Sequence, residues 1–396
     1  MTLFGYGKTT KAIAERFGNC EIFDDKFETV SKDEFGNSLL PSSLFDPLKS
    51  SLEVTSPGIP PSHPLIKKAL HLISEYDLFK EKMPYSVWVS GTNGKTTTTA
   101  MIEYLLRDKG AVSGGNIGTP LAKLNENASM WILETSSFTL HYTKKASPNL
   151  YVLLPITQDH ISWHGSFEAY ERAKLKPLLS MREGEVAIIP KKYEDFKTDA
   201  YKITYEDGED LAAKLGIKTN EISHKEPFLL DSLMALAVVK ILFDEIPYEK
   251  INDFKIDPHK LEEFYDSEGR LWVNDSKATN ADATIEALKR YRDKKIFLIL
   301  GGDDKGADIS KLFSFLKDTE TEIFAIGSNA SKIEKLAKEI GKKAHISKTL
   351  QNAVKEIDKI LTKNEVALLS PAAASLDQFK SYAHRGEVFK KSVLSL

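Results

Sequence analysis

The run VWVSGTNGKTTTTAMIEYLL, starting at Val87, sets a lysine and a string of hydroxyls directly behind a glycine turn. Those residue types suit a triphosphate. Backbone N–H groups at the turn and the start of the following helix attract phosphate oxygens. Lys95 is placed to reach the outer phosphates, and the Thr96 hydroxyl is an oxygen ligand for Mg2+. Gly91, Thr92, Asn93, Gly94, Lys95, Thr96 and Thr97 are therefore the candidate nucleotide loop. The strict pattern Gly-x-x-x-x-Gly-Lys-Ser/Thr is not met, because Val89 stands at its first glycine. An ordinary glycine turn with a surface lysine is the plainer reading. The order strand, turn, Lys-Thr, helix argues against it.

Other chemistry-bearing residues close apolar runs. Glu134 ends MWILE, and an acid at the carboxyl end of a strand beside a phosphate loop is placed for Mg2+. An idle carboxylate next to that run would be costly. Asp159 and His160 follow LYVLLPIT in the same position, so His160 is read as a metal or substrate contact. Lys174, within YERAKLK, carries no such signal, since a lysine on a helix ordinarily faces solvent. Further on, WVNDSKATN is expected to put Asp275 and Lys277 on one face of an extended strand. GGDDKGAD is a glycine-rich turn with Lys305 at its tip, and SPAAASLDQF leads into a helix expected at about Ser375, whose N-terminus favours an anion. Together these describe a second polar site on a separate segment.

Three segments supply the scaffold. TLFGYGKTTKAIAERFG followed by CEIFDD reads as strand, Gly-x-Gly turn, helix and acid-ended strand, a Rossmann-like unit. Its dinucleotide fingerprint is broken, with Thr10 at the last glycine position. LEVTSPGIPPSHP is a strand running into a proline-rich loop, and LIKKALHLISEYDLF reads as one helix leaving the domain. The second segment holds the phosphate loop, the strands already named, EVAIIP, and the apolar helix PFLLDSLMALAVVKILF, which its all-round hydrophobicity marks as buried. The third alternates strands and helices as a separate parallel α/β domain. The expected boundaries are 1–82, 83–256 and 257–396, with a P-loop ATPase-type centre between two Rossmann-like domains.

Composition narrows the classes of function. With 396 residues and a formal net charge of −3, the chain shows no basic block of the kind a nucleic-acid footprint needs. The single cysteine, Cys20, allows no internal disulfide and fits a reducing compartment. The N-terminus lacks the charged and apolar regions of a signal peptide. Apolar runs such as LYVLLPI and IFLIL are too short for the roughly 20 residues needed to span a bilayer. A cytoplasmic protein, acting as a monomer, is expected.

GTNGKTTTT, GGNIGTPL, ETSSF, DHISWHGSFEAYERAKLK, NDSKATN, GGDDKGAD and LLSPAAASLDQF together resemble the Mur ligases, the ATP-dependent amide-bond ligases of peptidoglycan synthesis. The resemblance runs from Gly5 to the last helix. SPGI, NDSKATN and SPAAASLDQF point to the branch that adds D-glutamate to UDP-N-acetylmuramoyl-L-alanine. A sister ligase or a folylpolyglutamate-type ligase with another amino acid or acceptor is the alternative. A non-catalytic nucleotide-binding regulator would need neither NDSKATN nor the third-segment Gly-Lys turn.

The resemblance implies that the first domain binds the UDP-sugar, the second ATP and the third the amino acid. Lys8, Thr9, Asp24 and Gly58 would hold the UDP moiety, with Asn116 and His160 contacting that substrate from the second domain. Thr96 and Glu134 would bind one Mg2+, and Glu134, His160 and a carbamylated Lys174 a second. Lys260, Asp275 and Lys277 would approach ATP, and Thr279, Lys305, Ser375, Leu376 and Tyr382 would line the D-glutamate pocket. Lys95, His160, Lys174, Asp275 and Lys277 are the implied catalytic set. The chain departs from the pattern at Asp231 in place of Asn, Lys260 in place of Arg, Asp304 in place of Gly and Thr139 in place of Gln. At the second of these, lysine lacks the bidentate fork of arginine.

Overall fold

A computed structural model describes residues 1–304 and 306–396, which form two compact units, Met1–Phe254 and Lys255–Leu396. Three six-stranded sheets organise them, and the apolar runs seen in the sequence become their buried strands. Parallel strands covered on both faces require such runs.

The first sheet uses β1 (Thr2–Phe4), β2 (Glu21–Asp24), β3 (Ser31–Lys32), β4 (Ser38–Pro41), β5 (Glu53–Thr55) and β6 (Leu72–Ile73), ordered β3-β4-β2-β1-β5-β6. Only the β3–β4 pair is antiparallel. Helix α1 (Lys8–Phe17) follows β1. The single helix expected over residues 65–79 is instead α2 (Pro64–Lys68), strand β6 and α3 (Glu75–Phe79). Ala69 turns extended and ends α2, β6 pairs with β5, and Ser74 starts α3 by accepting from Asp77 N at 3.1 Å. Sheet pairing and an N-cap outweigh the helical periodicity here.

The second sheet contains β7 (Tyr85–Ser90), β8 (Ala111–Gly115), β9 (Met130–Glu134), β10 (Leu150–Leu153), β11 (Val186–Pro190) and β12 (Tyr201–Tyr205). Its order is β12-β11-β10-β7-β9-β8, all parallel. The chain leaves β7 for one side of the sheet and returns on the other at β10. The crevice outside the carboxyl end of β7 is thus a topological switch point, where open α/β sheets bind ligands. Its helices are α4 (Lys95–Leu106), α5 (Ser137–Tyr142), α6 (Ile161–His164), α7 (Phe167–Leu175), α8 (Gly208–Leu215), α9 (Phe228–Phe243) and α10 (Tyr248–Asp253). As its composition predicts, α9 is buried from Asp231 to Val239, and it packs on α4.

The Lys255–Leu396 unit has β13 (Glu262–Tyr265), β14 (Leu271–Asn274), β15 (Ile296–Gly301), β16 (Thr321–Ile326), β17 (Ala344–Lys348) and β18 (Val366–Leu369). The order is β13-β14-β18-β15-β16-β17, with β13 antiparallel at the edge. Helices α11 (Ala281–Arg290), α12 (Ser310–Leu316), α13 (Ala330–Glu339), α14 (Leu350–Asp358) and α15 (Tyr382–Leu394) complete it. Two expectations are corrected here. Strand β14 stops at Asn274, and Ala278 N bonds back to Asp275 O at 3.0 Å, so Asp275 and Lys277 lie in a turn rather than on one strand face. The last helix begins at Tyr382, capped by Ser381, and Ser375 stands in the preceding turns.

Candidate active site

The nucleotide loop leaves β7 with Gly91 at φ +139° and Gly94 at φ +84°. These glycines are required by space as well as by backbone. A Cβ on Gly91 would lie 2.5 Å from the Leu154 Cβ, and one on Gly94 would lie 2.4 Å from Asp231 Oδ1. Asp231 sits in the first turn of α9 and accepts from the Thr98 hydroxyl at 2.8 Å, which fixes α4 behind the loop. Thr92 sews the loop to the end of β10: its N–H donates to Pro155 O (3.1 Å), its hydroxyl donates to Thr157 O (3.0 Å) and accepts from Thr157 N (2.9 Å).

Two lysines converge on this turn. Lys95 Nζ donates to Thr92 O at 2.7 Å, and Lys174 Nζ donates to Gly91 O at 2.6 Å. Lys174 is 1% exposed, with its ammonium 4.8 Å from the Tyr170 ring centroid. Burial lowers the pKa of both amines. For Lys174 it is pushed well below the lysine range, first by burial and then by the charge of Lys95. Nothing in the spacing of YERAKLK announced a buried lysine. Burial arises because α7 packs against α5 and α6.

Glu134, at the end of β9, is 2% exposed and held on both carboxylate oxygens: Thr96 Oγ1 donates to Oε2 at 2.8 Å and Asn116 Nδ2 to Oε1 at 2.7 Å. Thr96 and Glu134 are hard oxygen donors beside a phosphate-shaped turn and fit Mg2+, whereas Lys174 as an ammonium does not. Among the described residues no three His, Cys, Asp or Glu side chains cluster as a ready-made metal site. His160 stands at the rim, in the left-handed region at φ +53°, with its side chain 48% exposed and its ring 4.7 Å from that of Phe138.

An aromatic strap flanks this rim. Trp163 packs against a buried cluster that includes Phe4, Phe45, Leu65 and Tyr142, and the Tyr142 hydroxyl donates to Ile59 O at 2.6 Å, next to Gly58. His164 bonds Ser137 Oγ at 3.0 Å, and burial, with His141 and His160 adding to it, pushes its pKa down to about 4. The aromatics of DHISWHG were the one sequence signal for this strap.

In the first segment the broken fingerprint has a local explanation. The Thr10 hydroxyl donates to Gly5 O at 2.6 Å and accepts from Gly7 N at 3.1 Å, closing the turn where a third glycine is expected. The Asp24 carboxylate accepts from Tyr6 N at 2.6 Å and Lys26 N at 2.9 Å. Lys8 is exposed and donates to Gly118 O at 2.5 Å; Thr9 lies beside it on α1, and Gly58 is exposed beyond β5. Lys8 and Asn116 thus meet the same short loop, while the Asn116 amide is engaged with Glu134.

In the C-terminal unit the candidate residues other than Lys260 follow β14, β15 and β18, three adjacent strands. Asp275 is buried, accepts from Ser370 Oγ at 2.7 Å and Leu261 N at 3.2 Å, and is pushed up to about 7 by burial. Lys277 Nζ lies 4.2 Å from the Tyr382 ring centroid. Lys260 pairs with Asp257 at 2.8 Å. Ser375 is buried, whereas Thr279 and Leu376 are exposed. Lys305 lies outside the described residues. Asp304 accepts from Lys332 Nζ at 2.8 Å and Asn329 Nδ2 at 3.2 Å, so its charge is compensated from α13. Sequence reading missed Arg385, which is buried and donates to Ser276 Oγ (2.9 Å), Ser276 O (2.9 Å) and Ala373 O (3.1 Å), tying the chain after β14 to the chain after β18.

Residues 89–226 match the Mur ligase middle domain, and residues 261–373 match the Mur ligase, glutamate ligase domain. The chain is 57% identical to the UDP-N-acetylmuramoylalanine–D-glutamate ligase of Campylobacter jejuni strain 81-176, over 99% of both chains. The ligase of that name from Helicobacter pylori strain HPAG1 is 48% identical, over 100% of this chain and 99% of its own. The chain belongs to the Mur ligase family. This Mur ligase is accordingly an ATP-dependent, amide-bond-forming enzyme. Its fold is shared with MurF ligase from Thermotoga maritima in complex with ADP, at 18% identity and a TM-score of 0.59 over 87% of this chain and 88% of that one. It is shared too with E. coli FolC in complex with DHPP and ADP, at 16% identity and a TM-score of 0.56 over 80% and 91%. Among the described residues no helix of this Mur ligase is long and apolar enough to cross a membrane.

Proposed function

We propose that this Mur ligase joins the amine of D-glutamate to the L-alanine carboxylate of UDP-N-acetylmuramoyl-L-alanine, using ATP, as a cytoplasmic monomer in peptidoglycan precursor synthesis. The observation that carries the reading is the convergence of Lys95, Thr96, Glu134 and Lys174 on the Gly91–Thr96 turn, in a chain similar along its length to ligases of that name. In this reading residues 1–82 bind the UDP-sugar through Lys8, Thr9, Asp24 and Gly58. Residues 83–256 bind ATP, and residues 257–396 bind D-glutamate through Thr279, Lys305, Ser375, Leu376 and Tyr382.

Hydroxide is a poor leaving group, so the carboxylate must be activated. Its oxygen attacks the γ-phosphorus, the bond to ADP breaks, and an acyl phosphate forms. Lys95 and Lys277 screen the charge that spreads over the phosphoryl oxygens. Thr96 and Glu134 would hold one Mg2+, and Glu134, His160 and a carbamate on Lys174 another; the ions would supply further neutralisation of phosphate charge. The neutral amine that burial favours at Lys174 is the form that adds CO2. The amine of D-glutamate then attacks the acyl carbon and phosphate leaves. With His160, half exposed at the rim, serving as a ligand, the amine proton would pass to a metal-bound group.

Phosphate release from ATP with UDP-N-acetylmuramoyl-L-alanine tests this directly. Release that rises on adding D-glutamate, and not D-alanine, L-lysine or meso-diaminopimelate, is expected. Equal rates with those amino acids would move the chain to a sister ligase.

A further inference from the structure

Glu134 is held by its main chain as well as by its carboxylate. Its carbonyl accepts from Asn116 N at 2.8 Å and from the Tyr76 hydroxyl at 3.1 Å. Tyr76 lies on α3, between the first and second sheets, and is 1% exposed. Its ring stands edge-on to Trp88 of β7, with centroids 4.7 Å apart at 85°. Gly115 sits under the same carbonyl at φ +99°, and a Cβ there would fall 2.5 Å from Glu134 O and 2.7 Å from the Tyr76 hydroxyl. Carbonyl, hydroxyl and glycine are therefore in close mutual approach. The other end of the loop is gripped from the same helix: Glu75, also buried, accepts from Ala122 N at 3.3 Å. Helix α3 thus holds the Ala122 end of this loop directly, and through the Tyr76 hydroxyl it holds the Glu134 carbonyl on which Asn116 N also rests. Phenylalanine would fill the ring site against Trp88 equally well. A buried hydroxyl needs a partner, and here the partner is the carbonyl of the site acid itself.

We propose that Tyr76 is a positioning residue for Glu134. Its hydroxyl, together with Asn116, sets the end of β9 so that the Glu134 carboxylate meets Thr96 and a divalent cation. The proposal rests on reading Glu134 as a metal carboxylate of the ATP site.

Tyr76→Phe removes the hydroxyl and keeps the ring. Mn2+ is the probe, titrated against the protein with saturating ADP, with free ion read by electron paramagnetic resonance. Mn2+ affinity is expected to fall about fivefold, the worth of one neutral hydrogen bond at about 1 kcal/mol. The Mg2+ concentration for half-maximal turnover should rise in step, with the KM for D-glutamate unchanged and the melting temperature within a few degrees. Because Tyr76 acts through Glu134, adding Tyr76→Phe to Glu134→Gln should weaken Mn2+ binding less than twofold further. Unchanged Mn2+ affinity in Tyr76→Phe, with affinity lost in Glu134→Gln, overturns this proposal alone, as does a full fivefold effect in both backgrounds. Wild-type affinity in Glu134→Gln overturns the metal reading of Glu134 and this proposal with it.

Discussion

The turn after β1 and the turn after β7 share a plan: a buried parallel strand, a glycine at positive φ directly after it, and a helix that starts with lysine. They differ in where their polar groups are spent. In the first turn the groups largely satisfy one another, through Thr10 to Gly5 and Gly7 and through Asp24 to Tyr6. Its lysine, Lys8, is exposed. In the second, two amines with lowered pKa are aimed at the loop's own carbonyls, Gly91 O and Thr92 O. A carboxylate held by Thr96 stands beside them. Glycine spacing makes a turn in both, and the burial of two amines beside a carboxylate sets the second apart. In the proposed reading the second turn is the one for phosphoryl chemistry, and the first meets the UDP moiety.

The strongest way to break this contrast is Lys95→Ala. The variant should stay folded by thermal melting and lose roughly a hundredfold or more in turnover, the scale of removing one electrostatic stabiliser. Near-normal phosphate release would end the view of the second turn as the reacting one. Lys8→Ala, by contrast, should act on the KM for the UDP-sugar.

Lys174 sharpens the same point. Lys174→Ala should be inactive and partly rescued by a short carboxylate such as acetate, and the wild type should lose activity on depletion of CO2. A carbamate carbon resonance after labelling with 13CO2, absent in Lys174→Ala, is the direct check. Full activity after exhaustive CO2 removal would leave Lys174 as a plain amine.

The smallest effect belongs to the first turn. Thr10→Val keeps the side-chain shape and removes the hydroxyl that closes the loop. Leaving Gly5 O and Gly7 N short of a partner should cost about 1–3 kcal/mol in chemical denaturation. The KM for ATP should not move. A changed ATP response with unchanged stability would mean the two turns are not independent.

Much of this was legible in the chain. Strands β7, β9, β10 and β18, helices α4 and α9, and Glu134 at a strand end all follow from runs whose meaning is local. Where reading failed, a distant partner had overruled a local pattern. The helix expected over 65–79 is interrupted because β5 recruits Leu72 and Ile73 as an edge strand. Asp275 leaves its strand because the chain turns there, with Ala278 N bonding back to Asp275 O at 3.0 Å, and its carboxylate accepts from Ser370 Oγ at 2.7 Å.

The sequence by itself determined three α/β segments, a phosphate-type turn, and the family, because periodicity, glycine turns and motifs are properties of neighbouring residues. Only the tertiary structure decided which groups became reactive or rigid. Lys174 lies 83 residues from the Gly91 carbonyl it meets, Arg385 lies 109 from Ser276, and Tyr76 lies 58 from the Glu134 carbonyl. Burial and hydrogen-bond partners, which set pKa and position, depend on which strands become neighbours in the sheet, and no local spacing encodes that.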